Sequence, residues 1–114
     1  MNIMFILKIT AAILTAATGL LALVKPSAVY GFTGLTAGGA RGISEIRAIF
    51  GGLFIALGVA PFIFGGIAYQ VLGMGYLAIA VVRLASIFID KSTASSNFIS
   101  LAIEIVCGVI LILR

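Results

Sequence analysis

The sequence predicts an all-α integral membrane protein, a four-helix bundle with both termini on the same side of the bilayer. Three observations predict it. Hydrophobic residues make up 63% of the 114 and charged residues only 9%. Mean hydropathy is +1.37, too high for a chain that must build a polar exterior in water. The apolar residues fall into four runs, each near the ~20 residues that cross ~30 Å of hydrocarbon. Helices follow, because inside lipid every backbone polar group must be satisfied within the chain. The whole chain, 1–114, then forms a single domain.

The first run covers 3–24 and stops at Lys25-Pro26, which a helix does not readily cross. It lacks a basic stretch before its apolar part and is long for a secretory signal, so it is read as a retained span. The second run covers 44–64, with Pro61 expected to kink or close its far end. Gly65 and Gly66 supply a tight turn. The third run covers 67–89 and stops at Asp90-Lys91. "STASSN" (92–97) reads as a polar turn with helix-capping residues, and the fourth run covers 95–114.

The segment 25–43 is the longest connection. "PSAVYGF" is expected to form a short interfacial helix with Tyr30 and Phe32 at headgroup depth. "GLTAGGARG" is rich in glycine but lacks the GK[ST] and preceding strand of a phosphate loop. Tyr69, Gln70 and Tyr76 are read as interfacial.

The formal net charge of +4 is not a nucleic-acid signature. Lys8, Lys25, Arg41, Arg47, Arg83, Lys91 and Arg114 are scattered singly, as helix-end anchors and topology signals are. The chain has no histidine, which excludes His-ligated haem, His-containing zinc sites and a Ser-His-Asp triad. Cys107 is alone in an apolar run and reads as a packing residue. No metal, no cofactor and no catalytic residue is expected, and the chain is read as a non-enzyme.

The informative residues are the charges inside the spans, each costing about 2.5–3.5 kcal/mol on the insertion scale. Arg83 precedes Asp90 by seven residues, and Glu104 follows Asn97 by seven. At 1.5 Å per residue both lie about 10 Å inside the same membrane face. In an antiparallel hairpin they can pair. Asp90 is two turns from Arg83, and Arg47 starts the second span from the same side. The expected site is therefore one layer of Arg47, Arg83, Asp90 and Glu104, neutral in sum, with Glu45 at its rim. Two plainer readings stand beside it. Arg47 and Glu45 can be snorkelling helix-start residues, and Arg83–Glu104 can be a structural ion pair.

Small residues recur at four-residue spacing, the main packing device between helices in lipid. The stripes are Lys8, Ala12, Thr15, Gly19 and Ala22; Ala48, Gly52, Ala56 and Ala60, with Gly51 and Gly58 beside them; and Ser96, Ser100, Glu104 and Gly108. Gly51, Gly52, Gly58 and Gly108 are the expected packing glycines.

"EIRAIFGGLFIALG" (45–58), "AVVRLASIFID" (80–90) and "LAIEIVCG" (101–108) together resemble an uncharacterised family of small four-span bacterial membrane proteins, related in layout to the DoxX-like group. Onto that pattern fall Glu45, Arg47, Ala48, Phe50, Gly51, Gly52, Arg83, Asp90 and Glu104. The chain departs from it at Phe50, where tyrosine is common, and at Asp90-Lys91-Ser92, where Asp-Gly is usual. The resemblance implies the four-span fold, the polar cluster and a bacterial inner membrane; it implies no activity. Basic residues weight the side of loops 25–43 and 90–97, which predicts those loops cytoplasmic and the termini external. The expected role is binding or transport of a small anionic or amphipathic ligand. The alternative is an accessory or assembly subunit, or a homo-oligomer. Membrane lipid is the expected surrounding partner.

Overall fold

A computed structural model describes residues 2–113. Among these residues there are helices and no strands. Four helices are long and apolar enough to cross a membrane: α1 (Ile3–Val24), α3 (Ala40–Phe64), α4 (Gly66–Ile89) and α5 (Ser95–Ile112). A short α2 (Ala28–Thr33) joins α1 to α3. The chain is an integral membrane protein built as an up-down-up-down bundle. Each span packs on the next in sequence, and α5 packs back on α1. The closest pairs are α1 with α3 and α4 with α5.

Helix α1 starts where Asn2 Oδ1 accepts the Phe5 N–H at 2.8 Å, the ordinary N-cap device. It buries Ala11, Ala12, Thr15, Gly19 and Ala22, so the stripe of small residues is its packing face. Helix α2 forms within the segment expected to hold a short helix. It ends at Gly34, in the left-handed region at φ 76°, whose N–H bonds Tyr30 O. Val29 of α2 is fully buried against Ala22 and Ile46, which fastens α2 across the end of α1 and α3.

Helix α3 begins at Ala40, four residues before the expected start. Its stretch Ile46–Leu53 is a π-helix, with turns wider than α. Its inward residues are Ile46 and Gly51, five apart, then Gly58 and Pro61. The expected stripe of Ala48, Gly52 and Ala56 is exposed instead. Gly51 and Gly58 keep the seven-residue spacing of two α turns, and the five-residue step of the π segment brings Ile46 rather than Arg47 onto the same face. Pro61 does not close α3, which continues to Phe64 and stops at Gly65, φ 81°.

Backbones approach closely where glycines face a neighbour. A Cβ on Gly58 would lie 2.6 Å from Ala16 N and 2.7 Å from Ala12 O, and one on Gly19 would lie 2.8 Å from Gly51 O. A Cβ on Gly73 would lie 2.7 Å from Ile112 N. On Gly108 it would lie 2.6 Å from Leu77 Cδ2. Gly52 meets no neighbouring helix.

Ala11, Ala12, Tyr69, Leu72 and Leu111 form the core toward the Gly65 end. There the carbonyls closing α5 are taken by two side chains. Gln70 Nε2 donates to Ile112 O at 3.2 Å, and Lys8 Nζ donates to Leu113 O. At the opposite end α4 reaches Asp90, which accepts the Ser86 hydroxyl at 2.5 Å. Lys91 then takes φ 53°, in the left-handed region that favours glycine. The N-cap of α5 is Ala94, with no side-chain cap. The polar turn is tied instead by Asn97 Nδ2, which donates to Ser92 O and Oγ at 3.0 Å each. Large apolar side chains such as Val81, Phe88, Ile13 and Val106 point outward, as a lipid-solvated bundle requires.

Candidate functional site, an arginine–glutamate pair between α4 and α5

Glycines at the Gly65 end bring α4 and α5 together, and the tied turn at 90–94 closes the other end. Between them Arg83 reaches across to Glu104. Nε donates to Oε1 and Nη2 to Oε2, both at 2.7 Å, a two-pronged match of planar groups. Nη1 donates to Asn97 Oδ1 at 2.7 Å. Asn97 and Glu104 are two turns apart on α5, so one face presents both acceptors to one guanidinium. The glutamate is the more enclosed partner: its side chain is 11% exposed against 30% for the arginine. Three of the five N–H groups of Arg83 are engaged, leaving one on each terminal nitrogen.

Two clefts meet this pair. A cleft of about 610 Å³ is lined by Arg83, Asn97, Ser86, Ser92 and Val82, with Thr33 from α2. A second, of about 520 Å³, is lined by Glu104, Tyr76, Ser100 and Thr18, with Gly31 and Phe32 from α2. Helix α2 therefore stands beside the ion pair on both approaches. Deeper in the bundle, the Thr15 hydroxyl donates to Ala11 O at 2.8 Å, so the Tyr76 hydroxyl donates to Thr15 Oγ1, at 2.5 Å. This joins α1 to α4.

The structure brings Arg83 and Glu104 together and leaves the other predicted members outside. Asp90 is exposed and takes its hydrogen bond from Ser86, one turn back on its own helix. Glu45 is exposed and pairs with Arg41, four residues earlier, at 3.1 Å. Arg47 is exposed and lines a separate groove under the 26–37 segment. The reason is the connection. Gly31, Phe32 and Thr33 of α2 occupy the flank of the pair that the sequence reading gave to Arg47. Gly51, Gly58 and Gly108 sit at close helix approaches, whereas Gly52 does not.

Sequence reasoning missed Asn97 as a partner of the pair, Ser92 as the acceptor that holds Asn97, and Tyr76 as a bundle-interior residue. A signal existed: Tyr69, Tyr76 and Arg83 recur every seven residues on α4, as do Asn97, Glu104 and Leu111 on α5. Two turns of spacing mark one helix face. Tyr76 is half-buried ten residues past the start of α4, so it is not merely interfacial; Tyr69 is buried three residues past that start. Compared with family models, with curated proteins and with solved structures, the chain matches none.

Proposed function

We propose that this chain is a small non-enzymatic membrane protein that binds, and carries within or across the bilayer, a small amphipathic ligand held at the Arg83–Glu104–Asn97 network. One observation carries the reading: Arg83 lines a cleft of about 610 Å³ with two N–H groups to spare while its charge is already balanced. A balanced guanidinium donates hydrogen bonds without demanding a full counter-charge. It therefore suits a neutral or weakly anionic acceptor head, with the apolar cleft walls taking the tail. The Ser86 and Ser92 hydroxyls add polar contacts at the same mouth. The resemblance to four-span bacterial proteins supports an inner-membrane setting, and the basic residues weighted toward loops 25–43 and 90–97 support those loops as cytoplasmic and the termini as external.

Mass spectrometry of organic extracts of the purified protein tests the reading. We expect an amphipathic molecule to be retained by the wild type and by Arg41→Gln, and lost in Val82→Trp, which fills the cleft. Identical extracts from folded wild type and Val82→Trp would sink it.

A second reading, a subunit of a homo-oligomer or a larger membrane complex, is favoured by the exposed stripe Ala48, Gly52 and Ala56. That spacing promotes close helix pairing and finds no partner among the described residues. Cross-linking through Gly52→Cys in membranes, set against Gly75→Cys on α4, distinguishes it: dimers through position 52 alone support the subunit reading.

A further inference from the structure

Glu104 pairs with Arg83 and Glu45 with Arg41, while Asp90 accepts the Ser86 hydroxyl on its own helix. Arg47 has no ion-pair partner among the described residues and is exposed. An exposed guanidinium with no internal partner is free to take an external anion.

Its surroundings indicate which anion. Arg47 stands at the wall of a groove of about 480 Å³ formed where the 26–37 segment folds against the start of α3. Tyr30, Leu35 and Ile43 make that groove largely apolar, and Ser27 and Thr36 add hydroxyls to the same lining as Arg47. Helix α3 has 25 residues, about 37 Å, against ~30 Å of hydrocarbon, so its first turns extend into the headgroup zone. Arg47 lies seven residues from the start of α3, roughly 10 Å along it, where phosphates meet acyl chains. The backbone there is also irregular, because Arg47 is the second residue of the π segment.

We infer that this groove is a binding site for an anionic phospholipid, with the phosphate on the Arg47 guanidinium and the Ser27 and Thr36 hydroxyls, and the upper acyl chain along Tyr30, Leu35 and Ile43. A phosphate accepts two parallel N–H bonds from arginine, and an apolar wall beside it suits a lipid rather than a free ion. The site is separate from the Arg83 cleft and stands or falls independently of it.

The chain has no tryptophan, so Tyr30→Trp places a single reporter in the groove. In phosphatidylcholine vesicles, brominated phosphatidylglycerol is expected to quench it with about fivefold higher relative affinity than brominated phosphatidylcholine, the preference one arginine confers near an anionic lipid. Arg47→Gln is expected to abolish the preference, while Arg41→Gln, whose guanidinium is already paired, retains it. Equal quenching by the two lipids in the Tyr30→Trp protein would overturn the inference. So would a preference that survives Arg47→Gln, or displacement by inorganic phosphate, which assigns the groove to a soluble anion. Native mass spectrometry of the unsubstituted chain is a second measurement: retained phosphatidylglycerol, lost in Arg47→Gln, is the expected result, and loss of both lipids alike from the unsubstituted chain is the contrary one.

Discussion

Arg83 and Glu104 meet through two parallel hydrogen bonds of 2.7 Å, from helices joined by a turn of five residues, with Asn97 holding the third guanidinium nitrogen. The pair is neutral as a unit and costly when split, because a lone charge within the bilayer has neither water nor a partner.

Removing one partner therefore separates structure from charge. Arg83→Ala is expected to destabilise the protein by about 3 kcal/mol, since it leaves Glu104 enclosed without its partner. Arg83→Leu with Glu104→Leu is expected to recover most of that loss. Unfolding in a detergent titration reads both, and a double variant as unstable as the single one would contradict the neutral-unit account.

The α1–α3 contact depends on Gly58 having no side chain. Gly58→Ala puts a Cβ 2.6 Å from Ala16 N, a backbone atom that cannot turn aside, so the helices must part. A loss of about 1–3 kcal/mol is expected, in the range of overpacked cores. Gly52→Ala meets no neighbouring helix and is expected to be near neutral or slightly stabilising by helix propensity. Thermal midpoints of the two variants in one detergent make the comparison.

Lys91 carries a left-handed backbone with a full side chain, φ 53°. Lys91→Gly removes the clash between Cβ and carbonyl and is expected to stabilise the α4–α5 turn by about 0.5–1 kcal/mol, net of the greater freedom of glycine in the unfolded chain. A lowered unfolding midpoint would show that the turn does not hold this conformation.

The hydroxyl contact between Thr15 and Tyr76 fastens α1 to α4 inside the bundle. Tyr76→Phe is expected to cost about 0.6–1.5 kcal/mol, as interhelical hydrogen bonds in membranes do. A double-mutant cycle with Thr15→Val reads the coupling directly. Additive losses would mean that the two hydroxyls do not interact.

Much of the fold was legible from one-dimensional pattern. The apolar runs, Lys25-Pro26, Gly65-Gly66 and Asp90-Lys91 set four spans and their turns, because lipid penalises any unsatisfied backbone and leaves helices as the only option for such runs. The small-residue stripe of α1 and the equal depth of Arg83 and Glu104 followed from regular helical rise. What pattern could not determine was whatever depended on departures from regularity. Gly51 and Gly58, two turns apart, meet α1 where Gly52 does not, and the π segment puts Ile46 rather than Arg47 on that face, leaving Arg47 at the groove under the 26–37 segment. Depth is a property of one helix, readable from residue count. Facing is a property of two, and only the packed bundle decided that Asn97 and α2, rather than Asp90 and Arg47, complete the surroundings of the ion pair.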